Sequence, residues 1–165
     1  MRSPTLLAAL LTAALAFPVA GAEASGPVPG SAAQSTQRAA KVKPRSDAWE
    51  AKVLKLTNAR RKAHGVKPLK ASPCADRLAE SWTRHMARTR VLEHQSLDPF
   101  FDCRNVSSAG ENIAYGYETP RALVSAWMHS AGHRANILNR HFHRIGVSGW
   151  RATNGQTYAT QDFLG

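Results

Sequence analysis

His129 and His133 stand four residues apart, a spacing that brings two zinc ligands onto one face of a helix. No Glu follows His129, so the H-E-x-x-H arrangement of a metalloprotease is absent, and Gly132 between the two histidines is expected to end the helix. His141 and His143 alternate along an arriving segment, which sends them to opposite faces if it is extended; they read as surface residues. Ser96, Ser107, Ser108 and Ser130 lie near histidines in sequence, yet none occupies a G-x-S-x-G elbow, so the pattern gives serine nucleophiles no support. Cys74 and Cys103 are the two cysteines of the chain. In an exported protein they are expected to pair, closing a loop of about 30 residues and contributing roughly 3–4 kcal/mol in the chain-entropy model.

Export is itself read from residues 1–24. Arg2 supplies a positive start, Leu6 to Val19 an apolar run, and Ala20-Gly21-Ala22 or Ala22-Glu23-Ala24 a small-residue cleavage site, the signature of a signal peptide. The run is short for a membrane span, which needs roughly 20 apolar residues, and Pro18 and Gly21 break its end. Residues 25–46 are rich in Ser, Ala, Pro and Gly, carry Arg38, Lys41, Lys43 and Arg45, and contain no acid; they read as a flexible basic linker. Residues 47–165 are enough for one domain with one core. The net charge of +11 points to polyanions such as an anionic cell-wall polymer or lipid headgroups, or serves solubility alone. No RNA-binding aromatic motif or helix-turn-helix pattern supports nucleic acid, and no transmembrane segment is expected after signal removal.

The elements that must position any site follow from periodicity. Trp49, Val53, Leu56 and Ala59 or Ala63 recur at three- and four-residue steps between Asp47 and His64, with Gly65 placed as a cap, which predicts an amphipathic helix. A second helix is expected from Cys74 to about Arg90, with Leu78, Trp82, His85 or Met86 and Thr89 on one side. A third starts with Thr119 as N-cap and Pro120 in the first turn and runs to about His129. Arg144–Trp150 then alternates like a strand, Asn154-Gly155 is a hairpin turn, and Thr157–Phe163 returns. Helices first and an antiparallel hairpin last define an α+β domain. Trp49, Trp82, Trp127 and Trp150 fall on apolar faces and are expected in the core, with Trp150 the candidate exception.

Gly110-Glu111-Asn112-Ile113-Ala114, the run from Trp127 through Gly132-His133-Arg134-Ala135-Asn136 to Leu138, and Ile145-Gly146-Val147 together resemble the bacterial branch of the CAP superfamily, named for cysteine-rich secretory proteins, antigen 5 and pathogenesis-related 1. Leu54–Arg60, similar to the family's opening LxNxxR helix, Pro68-Leu69 and Tyr158–Phe163 extend the resemblance over most of the chain. It implies an α-β-α sandwich, with a small antiparallel sheet between helical layers and a cleft on one side. In eukaryotic members that cleft holds two His and two Glu able to bind a divalent cation. His94 matches the first His and Glu111 the first Glu; Ser130 stands where the second Glu is expected and Tyr158 where the second His is. The bacterial branch carries its own His, here His133. The implied cleft is therefore His94, Glu111, His133 and Tyr158, with His94, Glu111 and His133 as a His₂Glu set for Zn²⁺ or another divalent cation if they converge. Tyr115 and Tyr117 either line this cleft or pack beside it. Arg134 and Asn136 are expected to fix loops by satisfying carbonyls.

Three functions follow as expectations: a secreted, extracellular or wall-associated module whose cleft binds a ligand or cation without turnover; a metal-dependent, peptidase-like hydrolase using the same cleft; or a scaffold with no site. The family's shared fold does not choose among them.

Overall fold

The computed structural model describes residues 41–165; the signal-peptide reading and most of the linker reading lie outside the described residues. In chain order the elements are β1 (Lys43–Pro44), α1 (Asp47–Ala63), β2 (Lys70–Ala71), α2 (Pro73–Thr89), a 3₁₀ turn (Asp98–Asp102), β3 (Ala109–Tyr115), α3 (Pro120–His129), α4 (Ala131–Leu138), β4 (Arg144–Arg151) and β5 (Thr157–Leu164).

The helices begin where their first amides find a side-chain acceptor. Ser46 Oγ accepts from the Trp49 amide at 3.3 Å, Ser72 Oγ from Ala75 at 3.4 Å, and Thr119 Oγ1 from Ala122 at 3.2 Å; Pro73 and Pro120 follow two of these caps, where a missing N–H costs nothing. Gly65 (φ 64°) and Arg90 (φ 61°) turn the chain out of α1 and α2 through the left-handed region. After His129 the expectation that Gly132 ends a helix needs correction. The break falls at Ser130, which is extended, and Gly132 lies inside the new helix α4, so His129 and His133 sit on different helices.

Four strands run in the order β1-β4-β5-β3, with two-residue β2 pairing parallel to β4 and the other pairings antiparallel. Lys43 and Pro44 therefore belong to the sheet. Alternation along the strands divides the core. Ile145, Val147, Ala159 and Phe163 face α1, α3 and α4 and pack with Trp49, Val53, Leu123, Trp127 and Ile137. Ile113, Trp150 and Tyr158 face α2 and pack with Met86 and Ala87, while Leu164 packs with Ala75, Phe100 and Cys103. Trp150 is thus a core residue and no exception. Gly146 fits this frame because a Cβ there would collide with the backbone of Ala75 and Asp76, so α2 starts directly on β4. The outcome is the α-β-α sandwich with its sheet between helical layers, as the sequence implied.

Candidate functional site

β3 is an edge strand, and alternation gives its neighbouring residues opposite duties. Glu111 points to the α2 face, whereas Asn112 points to the α4 face. Asn112 Nδ2 donates to the His133 carbonyl at 3.1 Å and to Gln161 Oε1 at 3.3 Å, and Asn136 Nδ2 donates to Asn112 Oδ1 and to the Glu111 carbonyl at 3.0 Å each. Gln161 Nε2 in turn donates to Thr57 Oγ1 at 2.7 Å. This chain of amides fixes α4 against β3, and with it His133. Asn136 is the loop-fixing group expected of it. Arg134 is not, since its side chain is exposed and makes no hydrogen bond to these carbonyls. That work falls to Arg61, which is fully buried and donates to the carbonyls of Lys67, Ile137, Asn139 and Phe142 at 2.7 to 3.0 Å.

From the other layer comes the irregular segment after α2. Trp82 Nε1 donates to the Glu93 carbonyl at 2.7 Å and Ser96 Oγ to Asp98 at 2.9 Å, and the Cys74–Cys103 disulfide, with its Cα atoms 6.0 Å apart, closes the base of the loop. His94 Nδ1 meets Glu111 Oε1 at 2.6 Å, the Gln95 amide reaches the same oxygen at 3.3 Å, and Gln95 Nε2 donates to Glu111 Oε2 at 2.7 Å. The neutral imidazole that donates through Nδ1 keeps a free lone pair on Nε2. The His94 ring is 61 % exposed while the Glu111 side chain is 2 % exposed, so a buried carboxylate orients a solvent-facing imidazole.

These residues form a cleft of about 610 Å³ around the β3 edge, lined by His94, Gln95, Gly110, Glu111, Ser130, His133 and Asn136 among others. Burial, and secondarily His94 nearby, lowers the His133 pKa, so that wall presents a neutral imidazole at neutral pH. Three of the four residues expected here are brought together. Tyr158 is not: it pairs with Tyr115, four residues along β5 from Asp162, which at strand rise is roughly 13 Å from the Glu111 pairing. It is buried among Met86, Ala87 and Ile113 with its ring 5.7 Å from that of Tyr115. Tyr115 and Tyr117 also lie outside the cleft lining. His141 and His143 are exposed.

The arrangement fits a divalent cation poorly. Both Glu111 oxygens already accept hydrogen bonds, His94 spends Nδ1 on one of them, and among the described residues no three His, Cys, Asp or Glu side chains converge as a metal-ion group. Ser130 lines the cleft but makes no hydrogen bond to either imidazole, so no serine–histidine pair is assembled.

Asp162 escaped the sequence reading. It pairs directly with Glu111 across β3 and β5, is fully buried, and accepts from Gln95 Nε2 at 3.1 Å, so one side-chain amide bridges two carboxyl groups. Burial and then the Glu111 charge push its pKa well above the ordinary carboxyl range, which favours the protonated form of Asp162. The only signal in the sequence was an acid at an inward-facing strand position. A carboxyl whose folded pKa exceeds its unfolded value of about 3.9 stabilises fully below that value, and the contribution is lost as pH rises through the folded pKa, about 1.4 kcal/mol per unit of difference. Asp162→Asn keeps an acceptor for Gln95 and removes the titration. The variant should match the parent near pH 4 and exceed it in urea midpoint at pH 8; equal pH dependence in both would show that Asp162 is not the group involved.

The α-β-α sandwich, with its sheet between helical layers, is the fold of the cysteine-rich secretory class of proteins. Residues 54–163 match the family model described as CAP, Cysteine-rich secretory protein family, and the chain belongs to this family. Among its relatives, the Bacillus subtilis (strain 168) protein YkwD is 40% identical over 125 residues, covering 72% of this chain and 48% of YkwD. The Golgi-associated plant pathogenesis-related protein 1 of Homo sapiens is 25% identical over 128 residues, covering 68% and 79% of the two chains. Among solved structures, an extracellular protein containing an SCP domain from Bacillus anthracis superposes with TM-score 0.61 at 26% identity over 72% of this chain and 40% of that one. The chain thus spans about half, or less, of YkwD and of the Bacillus anthracis protein. No helix among the described residues is long and apolar enough to cross a membrane.

Proposed function

We propose that this is an exported CAP module, acting outside the cell or at its wall, whose β3-edge cleft binds a neutral, hydrogen-bonding segment of a wall polymer without consuming it. The observation that carries this reading is the His94–Glu111 bond: it fixes an exposed imidazole in a cleft whose opposite wall supplies neutral His133 and the Asn136 side chain, leaving polar edges for the ligand. The net charge of +11 would act at longer range, concentrating the protein on an anionic wall or lipid surface while the cleft recognises a neutral group.

The test is binding of the full chain to solubilised wall fragments, with Glu111→Gln as the variant. Losing the oriented imidazole should weaken binding about tenfold, or about 1.4 kcal/mol, with no change in the fragments over time. Unaltered binding sinks the cleft reading. A hydrolase is the second reading, favoured by one feature: a base held through Nδ1 by a carboxylate, with Nε2 free, is the orientation a general base needs. Time-dependent product abolished by Glu111→Gln would establish it in place of simple binding. Saturable Zn²⁺ uptake lost in the same variant would require the His94–Glu111 bond to open and would overturn the metal-free description.

A further inference from the structure

The sheet has a second edge, at β4, and its construction is unusual. On the side away from β5, β2 covers Arg144 and Ile145, β1 covers Trp150 and Arg151, and the stretch between them has no strand partner on that side. Two carboxylates fill the gap: Asp76 Oδ1 from α2 accepts the Val147 amide and Glu50 Oε1 from α1 accepts the Gly149 amide, both at 3.0 Å. Beside them lies a cavity of about 270 Å³ whose acidic lining is Asp47, Glu50, Asp76 and Glu80. None of these four carboxylates is in a salt bridge among the described residues. Arg45, which also lines the cavity, has its guanidinium turned to Glu118 and Trp49.

An acidic cluster alone could be no more than a solvated helix end. A further group in the same wall argues otherwise. Trp150 Nε1 is buried without a hydrogen-bond partner, on a residue 8 % exposed that lines this cavity, and in the same lining the Ser148 hydroxyl, on a residue 2 % exposed, is near enough to Glu50 to favour its charged form. A buried donor without a partner is costly and rare in folded chains. The indole N–H can only donate, so it requires an acceptor, whereas the carboxylates, when ionised, attract a positive charge. Burial holds the Glu50 pKa up at about 7, with Asp47 and Asp76 adding to the rise, and burial raises that of Asp76.

The geometry points to a second binding site, at the β4 edge, for an organic ammonium carrying a neighbouring hydroxyl: the ammonium among Glu50, Asp76 and Glu80, and the hydroxyl oxygen accepting from Trp150 Nε1 beside Ser148. Amino sugars and amino-alcohol headgroups both carry this chemistry. The site is independent of the His94 cleft, which lies at the opposite edge of the sheet.

The experiment is an amide and indole NMR titration of the full chain. Ethanolamine should give saturable shifts at Ser148 and at the Trp150 indole, while ethylene glycol, which lacks the charge, and ethylamine, which lacks the oxygen, should bind at least about tenfold more weakly. Glu80→Gln, at an exposed position, and Glu50→Gln, which keeps an oxygen for the Gly149 amide, should each weaken ethanolamine several-fold; Glu111→Gln should leave it unchanged. If Glu50→Gln fails to fold, Glu80→Gln carries the test. Glucosamine and glycerophosphoethanolamine separate the two sources, and the stronger binder names which one the site takes. Absence of saturable shifts with ethanolamine, or equal shifts with ethylene glycol, overturns the proposal.

Discussion

Arg61→Ala is expected to lower stability by about 3–5 kcal/mol, the cost typical of breaking a buried charged network by removing one side of it. Arg61 is fully buried, and its guanidinium is held by four backbone carbonyls rather than by a carboxylate. Two of these, Ile137 and Asn139, belong to the end of α4, where helix carbonyls have no intrahelical donor and the dipole favours a cation. The other two, Lys67 and Phe142, lie in the connections after α1 and before β4. Truncation would strand all four acceptors in a cavity, and a lysine cannot replace the fork, because one ammonium lacks the planar spread of donors. Arg61→Lys should therefore recover only part of the loss. Arg60, next in the chain, is exposed, and Arg60→Ala should fall within about 0.5 kcal/mol of the parent. Urea midpoints for the three variants decide the matter, and Arg61→Ala behaving like Arg60→Ala would refute the role assigned to the buried guanidinium. Since Arg61 holds the helix that carries His133 and Asn136, its loss should also loosen one wall of the cleft.

The two arginines show where the sequence was legible and where it was not. Helical periodicity in α1 identifies Trp49 and Val53 as inward because their apolarity marks them. It cannot identify Arg61, whose burial depends on carbonyls more than 70 residues away that happen to converge on its fork. The same holds for Thr57 and Gln161, polar residues whose burial depends on the hydrogen bond between them and on the one Gln161 accepts from Asn112. Caps and turns were readable since they are local: Thr119-Pro120 and Asn154-Gly155 specify backbone geometry within a few residues. The division after His129 was misplaced because Gly132 looks like a stop signal, yet the extended Ser130 makes the break two residues earlier.

At the site, family resemblance located His94, Glu111 and His133, but strand alternation explains why Glu and Asn must be adjacent in Gly110-Glu111-Asn112: one serves the face that meets His94 and the other the face that anchors α4. Alternation also explains the failure at Tyr158. Matching positions between sequences says nothing of distance along a strand, and four residues carry Tyr158 into a different cluster. Asp162 was hidden for the opposite reason, since its importance comes from cross-strand register with Glu111, which no local pattern reports.

Replacing both cysteines by alanine is expected to reduce stability by roughly 3–4 kcal/mol, from the loss of a bridge between residues 29 apart in sequence. Alanine rather than serine avoids placing a hydroxyl at Cys103, which is buried with Phe100 and Leu164. The loss should not be spread evenly. The bridge ties the start of α2 to the end of the 3₁₀ turn, and between its ends the chain includes the segment 90–97, which has no regular structure. That segment delivers His94 and Gln95 to Glu111. Without the bridge those contacts must hold the loop against more conformational freedom, so amide exchange at residues 94–97 should quicken more than in β5, whose ladders to β3 and β4 are untouched. Affinity of the cleft for wall fragments should fall with it, because the His94 wall must be reordered on binding. Hydrogen exchange read beside urea unfolding separates two cases. Faster exchange confined to the His94 segment would mean that the bridge preorganises the cleft. Uniform acceleration would mean that it constrains only the unfolded chain, leaving the Glu111 contacts sufficient to position His94.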